Sequence, residues 1–233
     1  MRIQQSGWEM KRDLDRIPWC SAILTAVNVI VFLACQFYGN VLYAQGSFSI
    51  LYLIRNGEYY RLVTAMFLHA DISHLANNMI LLYFGGEIVE KTIGKVRYLI
   101  LFFLSGICGN LLSAVYELST GSFYESIGAS GAVFGLIGGL LYLVIARKGR
   151  AASISVQRMA LMILLSLYSG FQSVRVNNAA HLGGLLSGFS QPFFCATWED
   201  FPERGPGAWS ERDLIPAVGS GRLSLPFRRQ KER

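Results

Sequence analysis

Three short stretches of the chain place reactive side chains among apolar residues. In His74-Leu-Ala-Asn-Asn78 the histidine and the second asparagine are four apart, so a helix carries them on one face. Gly128-Ala-Ser130-Gly131 opens a second apolar stretch, and Ala180-His181-Leu-Gly-Gly184 lies near the start of a third. A serine hydroxyl is a weak nucleophile until a neighbouring base takes its proton. His181 placed beside Ser130 would be that base. His74, Asn78 and the Ser130 backbone N–H would then donate to the oxyanion formed on an attacked carbonyl. Each stretch also has a plainer reading. A serine between glycines in an apolar helix is usually packing, and His74 with Asn78 can simply bond between helices. A small transporter with His74, Asn78 and His181 lining a polar path would use the same residues without chemistry.

The elements that must position these groups follow from composition. Of 233 residues, 52% are hydrophobic and 15% charged, against a usual charged share of about 25%. The charges gather at the ends: residues 1–19 hold seven and residues 197–233 hold thirteen. Sixteen remain across residues 20–196, too few to cover a soluble globule. A soluble cytoplasmic enzyme and a disordered chain are excluded. The net charge of +6 is explained by where Lys and Arg sit relative to a lipid bilayer, not by nucleic acid.

Six apolar segments are expected, over Pro18–Tyr38, His74–Val89, Val96–Tyr116, Ser130–Ala146, Val156–Phe171 and Asn178–Ala196. A spanning helix needs about 20 apolar residues, with about 17 as the lower end. The second and fifth are short, but alternation with the others makes six the best count. No A-x-A-like cleavage site follows the first, so it is expected to be retained. Eighteen of the 21 Lys and Arg fall on one side of this arrangement, and Arg55, Arg61 and Arg175 on the other. The expected topology has both termini in the cytoplasm. The expected organisation is a cytoplasmic segment over 1–17, a membrane domain over 18–196 and a flexible cytoplasmic tail over 197–233, which holds four of the six prolines. Residues 39–73 form a long outer loop rich in aromatics, expected at the membrane interface. The cysteines at 20, 35, 108 and 195 match no zinc pattern and read as small buried thiols.

Depth ties the reactive residues together. Counting up from the cytoplasmic ends at about 1.5 Å per residue, His74 and Ser130 lie at about 24 Å and His181 at about 22 Å. Three separate helices thus carry their unusual polar residue at one level. Gly131, Gly135 and Gly139 recur every four residues, as do Ala180, Gly184 and Gly188. Small residues at that spacing let two helix backbones approach closely, which would bring Ser130 and His181 together. Three histidines (His69, His74, His181) also suggest zinc, but no H-E-x-x-H is present and no carboxylate shares their level. No metal is expected. The loop Phe171–Asn177 joins the fifth segment to the helix of His181. Phe171 and Val174 are expected to form a movable cover over the site.

These residues resemble a known family. Tyr60-Arg61-Leu-Val-Thr64-Ala-Met-Phe-Leu-His69, His74-Leu-Ala-Asn-Asn78-Met, Gly85-Gly86, Glu90, Gly128-Ala-Ser130-Gly131 and Ala180-His181-Leu-Gly-Gly184 occur in the order of the rhomboid intramembrane serine proteases. The resemblance covers about residues 18–196. It implies an all-α, six-transmembrane-helix bundle with an interfacial first outer loop. Ser130 would be the nucleophile of a serine-type endopeptidase and His181 its general base and acid. His74, Asn78 and the Ser130 N–H would form the oxyanion hole, supported by Gly128, Gly131, Phe134 and Gly184. The resemblance implies a dyad without an acidic third member, no cofactor, and transmembrane proteins as substrates. Two positions depart from the pattern. Tyr60 stands where many members have Trp, and Phe134 where some have a Tyr stacked on the histidine. Phe keeps the aromatic face, so the stacking is expected to survive. With no organelle transit peptide visible, the expected location is a bacterial cell membrane.

Overall fold

The computed structural model describes residues 17–146 and 176–195. The regular structure of the described residues is helical, with no strand among them beyond one isolated bridge, Phe48 to Ser126. The helices are α1 (Trp19–Tyr38), α2 (Asn40–Gly46), α3 (Ile50–Asn56), α4 (Arg61–Thr64), α5 (Ile72–Ile80), α6 (Gly86–Ile93), α7 (Lys95–Thr120), α8 (Ser130–Ala146) and α9 (Asn178–Cys195). A 3₁₀ turn (Ala65–Phe67) follows α4, and a π-helical segment (Leu81–Gly85) joins α5 to α6. Helices occupy five of the six expected apolar segments. The fifth segment lies outside the described residues, as do Phe171, Val174, the first 16 residues and the tail.

By length and composition α1 and α7 can each cross a membrane, with mean hydropathies of 2.0 and 1.9. α1 starts just after Pro18, whose fixed φ suits a helix start, and stops at Gly39, where φ is +59°. It turns Leu24, Asn28, Phe32 and Cys35 inward and leaves Ile23, Val27, Ile30 and Phe37 exposed. On α7, Ile100, Leu104, Leu111, Val115 and Leu118 are likewise exposed, while Tyr98, Leu101 and Phe102 are buried. The main core collects Leu24 and Phe32 of α1 and Tyr98, Leu101 and Phe102 of α7 with Leu75, Met79, Leu82 and Val89 from the second segment and Ala132, Val133, Leu136 and Leu140 from α8. Of the expected buried thiols, Cys35 is buried, whereas Cys20 and Cys108 are half-buried.

Two regions differ from expectation in ways that matter for the site. The second segment runs from Ile72 to Ile93, longer than expected. Its π segment inserts extra backbone, so residues beyond it face a direction that a 3.6-residue period from His74 does not give. Glu90 thereby meets the start of α1 and accepts hydrogen bonds from Cys20 N (3.0 Å), Ser21 N (2.8 Å) and Ser21 Oγ (2.9 Å). The outer loop 39–73 is not irregular: α2, α3 and α4 fold over a second small core of Phe48, Ile50, Leu53, Ala65 and Ala114. It is clasped to the 121–129 segment. Phe48 and Ser126 exchange backbone hydrogen bonds of 2.9 and 2.7 Å, and Gly128 N donates to Ala65 O at 2.8 Å. An open cavity of about 400 Å³ lies there, lined by residues that include Ser49, Tyr52, Arg55, Phe123 and Glu125 but neither Ser130 nor His181.

Candidate functional site

The meeting of α8 and α9 decides where Ser130 and His181 lie. A Cβ added to Gly184 would overlap the Gly131 carbonyl, and one on Gly188 would overlap the Gly135 carbonyl. A Cβ on Gly131 would stand 3.4 Å from Ala180 O, and one on Gly135 would stand 3.3 Å from Gly184 O. The two small-residue stripes therefore do face each other, backbone against backbone. Ser105 of α7 closes the third side, against Gly135. Ser130, half-buried, is the first residue of α8 and His181 sits in the first turn of α9, so both stand at the same end of this seam.

Phe134, one turn into α8, lies flat on His181, with ring centroids 4.3 Å apart and planes 10° from parallel. Stacking of this kind contributes about 0.5–1.5 kcal/mol beyond the area it buries. His181 is buried, and its Nδ1 has no hydrogen-bond partner among the described residues. Ring orientation therefore comes from packing.

His74 reaches the same place from α5. A Cβ built on Gly128 would lie 2.8 Å from both Cε1 and Nε2 of His74 and 3.8 Å from Ser130 Oγ. One point thus lies within 4 Å of the His74 ring and the Ser130 hydroxyl. Gly128 also has φ +128°, where side chains are rarely found, so both conformation and space exclude other residues here. Asp71 caps α5 by accepting from His74 N at 2.8 Å. Asn78 is buried, and its Nδ2 donates to His74 O at 3.1 Å, leaving its second amide N–H for another acceptor.

Several buried polar residues have partners although the sequence assigns them no role in the site. His69 is fully buried with its ring edge-on to His74 at 5.0 Å, and Tyr43 OH donates to the His69 carbonyl at 2.7 Å. Burial pushes His69 down to about 4, and a charge on His74 would push the same way, so His69 packs beside His74 as a neutral ring. Arg61 is buried at 5% exposure, pairs with Glu58, donates to Ser47 O at 2.8 Å and lies over the Tyr52 ring at 4.0 Å. Tyr60 itself stays exposed. Glu117 is fully buried and accepts from Ser49 Oγ (3.1 Å), Ile50 N (3.3 Å) and Ser113 Oγ (3.5 Å). A lone carboxylate ending an apolar stretch was the signal for Glu117, because such a group needs partners. Asn177 had a comparable one, as an Asn standing at a helix N-cap.

Comparison with known proteins follows the same residues. A Rhomboid domain model matches residues 56–198. The rhomboid protease GluP of Bacillus subtilis is 36% identical over 175 residues, covering 75% of this chain and 32% of that protein. The rhomboid protein YdcA of the same organism is 34% identical over 142 residues, 61% of this chain and 70% of its own length. RHOMBOID-like protein 4 of Arabidopsis thaliana is 31% identical over 249 residues, 91% of this chain and 62% of that protein. The chain thus spans less than half the length of GluP and less than two thirds of the Arabidopsis protein.

Proposed function

The chain belongs to the rhomboid family, and from that premise we propose that it is an intramembrane serine endopeptidase with Ser130 as nucleophile and His181 as general base and acid. The observation that carries this reading is the α8–α9 seam, which presses the turn bearing Ser130 against the turn bearing His181. In the proposed reaction Ser130 Oγ attacks the carbonyl carbon of a peptide bond and its proton passes to His181. The oxyanion is held by the Ser130 N–H, Asn78 and His74. Collapse of the intermediate breaks the C–N bond, and His181 protonates the departing amine. Water then attacks the acyl ester, gives its proton to His181 and releases Ser130. His181 carries every proton, so the scheme calls for no cofactor and no metal.

The substrates we assign are membrane proteins cut in or near a transmembrane helix. A helix hides its carbonyls in its own hydrogen bonds, so the substrate must unwind locally to present one. We assign residues 18–196 as the protease domain, with six spans and both termini in the cytoplasm of a bacterial cell. The bias of Lys and Arg and the exposed apolar faces of α1 and α7 support this arrangement.

The test is labelling of the full chain in detergent with a fluorophosphonate, alongside cleavage of tagged membrane-spanning substrates. Labelling of wild type but not of Ser130→Ala, with cleavage lost in Ser130→Ala and His181→Ala, is the expected result. A protein that takes no label, with the histidines still accessible to a polar solute, would fit the transporter reading instead.

A further inference from the structure

We infer that Asn177 is a positioning residue that clamps the segment leading to Ser130 against the start of the helix carrying His181. The inference rests on the proposed protease reading for its catalytic consequence and on hydrogen bonds alone for the clamp. Asn177 lies four residues before His181, and Ser126 lies four residues before Ser130. The Asn177 side chain joins the two approaches directly, with Nδ2 donating to Ser126 Oγ at 2.9 Å. The same amide nitrogen donates to Ser113 Oγ of α7 at 2.6 Å. Its Oδ1 accepts from Ala180 N at 3.0 Å, capping α9 in the turn that holds His181.

The clamp is anchored on both sides. Ser113 is fully buried and donates onward to the fully buried Glu117, which also accepts from Ser49 and Ile50 of the outer loop. Ser126 is held through its backbone to Phe48 of the same loop. The glycine seam sets how near α8 and α9 come, but backbones without side chains leave the two free to slide along each other. A side chain with three directed bonds at the end of that seam removes the sliding freedom where Ser130 and His181 must align. Misplacement of reacting groups by about 1 Å is enough to cost about 100-fold in rate.

The test separates the clamp from the helix cap. Asn177→Ser keeps an oxygen able to cap α9 but is too short to reach Ser126 and Ser113 together. Ser126→Ala removes one clamp bond and leaves the cap intact, and it serves if the first variant folds poorly. In both variants we expect kcat and the fluorophosphonate labelling rate of Ser130 to fall by a common factor of about tenfold, with KM changed less than twofold. Backbone amide exchange should accelerate together in residues 126–130 and 178–182. The double variant should lose no more than Asn177→Ser alone. Faster exchange confined to residues 178–182, or losses that multiply in the double variant, would overturn the clamp. If wild-type Ser130 takes no label, the protease reading fails, and the exchange comparison alone still decides whether Asn177 ties the two segments.

Discussion

The α8–α9 seam and the outer clasp hold neighbouring parts of the molecule by opposite means. In the seam, contact is made by what is missing: Gly131, Gly135, Gly184 and Gly188 put carbonyls where side chains would otherwise be. In the clasp, contact is made by polar side chains that reach. Arg61 bonds Ser47, Glu117 gathers Ser49, Ile50 and Ser113, and Glu125 accepts from Ser47 Oγ and Tyr52 OH, each at 2.7 Å. A seam of glycines has almost no tolerance for added atoms, because the neighbour is backbone and cannot swing away. A clasp of hydrogen bonds tolerates shape changes and loses strength bond by bond. The residues proposed for the chemistry stand at one end of the seam, and Asn177 ties that end to the clasp through Ser113 and Ser126.

The largest break in this comparison should come from the seam. Gly184→Leu or Gly135→Leu would drive side-chain atoms into backbone or Ser105 and separate Ser130 from His181. We expect cleavage to fall more than about 100-fold although neither residue touches substrate, read as turnover of a tagged membrane substrate. Next is Asn78→Ala. An oxyanion donor acts on charge present only in the transition state, so kcat should drop by about 10²–10³ with KM little changed. Unaltered turnover would reduce Asn78 to its bond with the His74 carbonyl.

A middle-sized effect is expected in the clasp. Glu117→Ala leaves Ser49, Ser113 and the Ile50 N–H short of a buried acceptor, which costs about 1–3 kcal/mol per stranded group. Thermal unfolding in detergent should shift down, and kcat in the folded fraction should fall less than in Asn177→Ser, because the Asn177–Ser126 bond remains. Inactivation without loss of stability would mean that seam and clasp are not separable.

The smallest effect is a pH dependence. The hydroxyls of Tyr52 and Ser47 hold the Glu125 carboxyl below its usual range. A carboxylate whose folded pKa is depressed adds stability that is present above its unfolded value, about 4.3, and fades as pH falls through the lower folded value. Wild type should therefore lose melting temperature on acidification slightly more steeply than Glu125→Gln. Glu125 is exposed, so the difference will be small. Equal slopes would remove the carboxylate's charge from the clasp.

Much of the seam was legible beforehand, because glycines every fourth residue and polar groups at one level are one-dimensional patterns. The facing of Gly131 with Gly184 follows from such spacing, whereas the Phe134–His181 stack is expected only from the family resemblance. The clasp was not legible, since its partners are far apart in sequence and of ordinary types: Ser49 with Glu117, Tyr52 with Glu125, Asn177 with Ser113 and Ser126. The outer loop read only as aromatic because its three helices are too short to show a period. The π segment hid for another reason. No residue pattern marks the extra backbone that turns Glu90 toward the start of α1.

The stacked ring at His181 has one more consequence. Where a hydrogen-bonded carboxylate steers a catalytic imidazole, alignment depends on a charge that acid or concentrated salt can weaken. Phe134 has no charge to titrate or screen. In the proposed dyad, acid would silence the base by loading it with a proton but would leave the ring pointing where it was. Returning the sample to neutral pH should then restore activity at the speed of proton exchange, with no slow refolding of the site behind it.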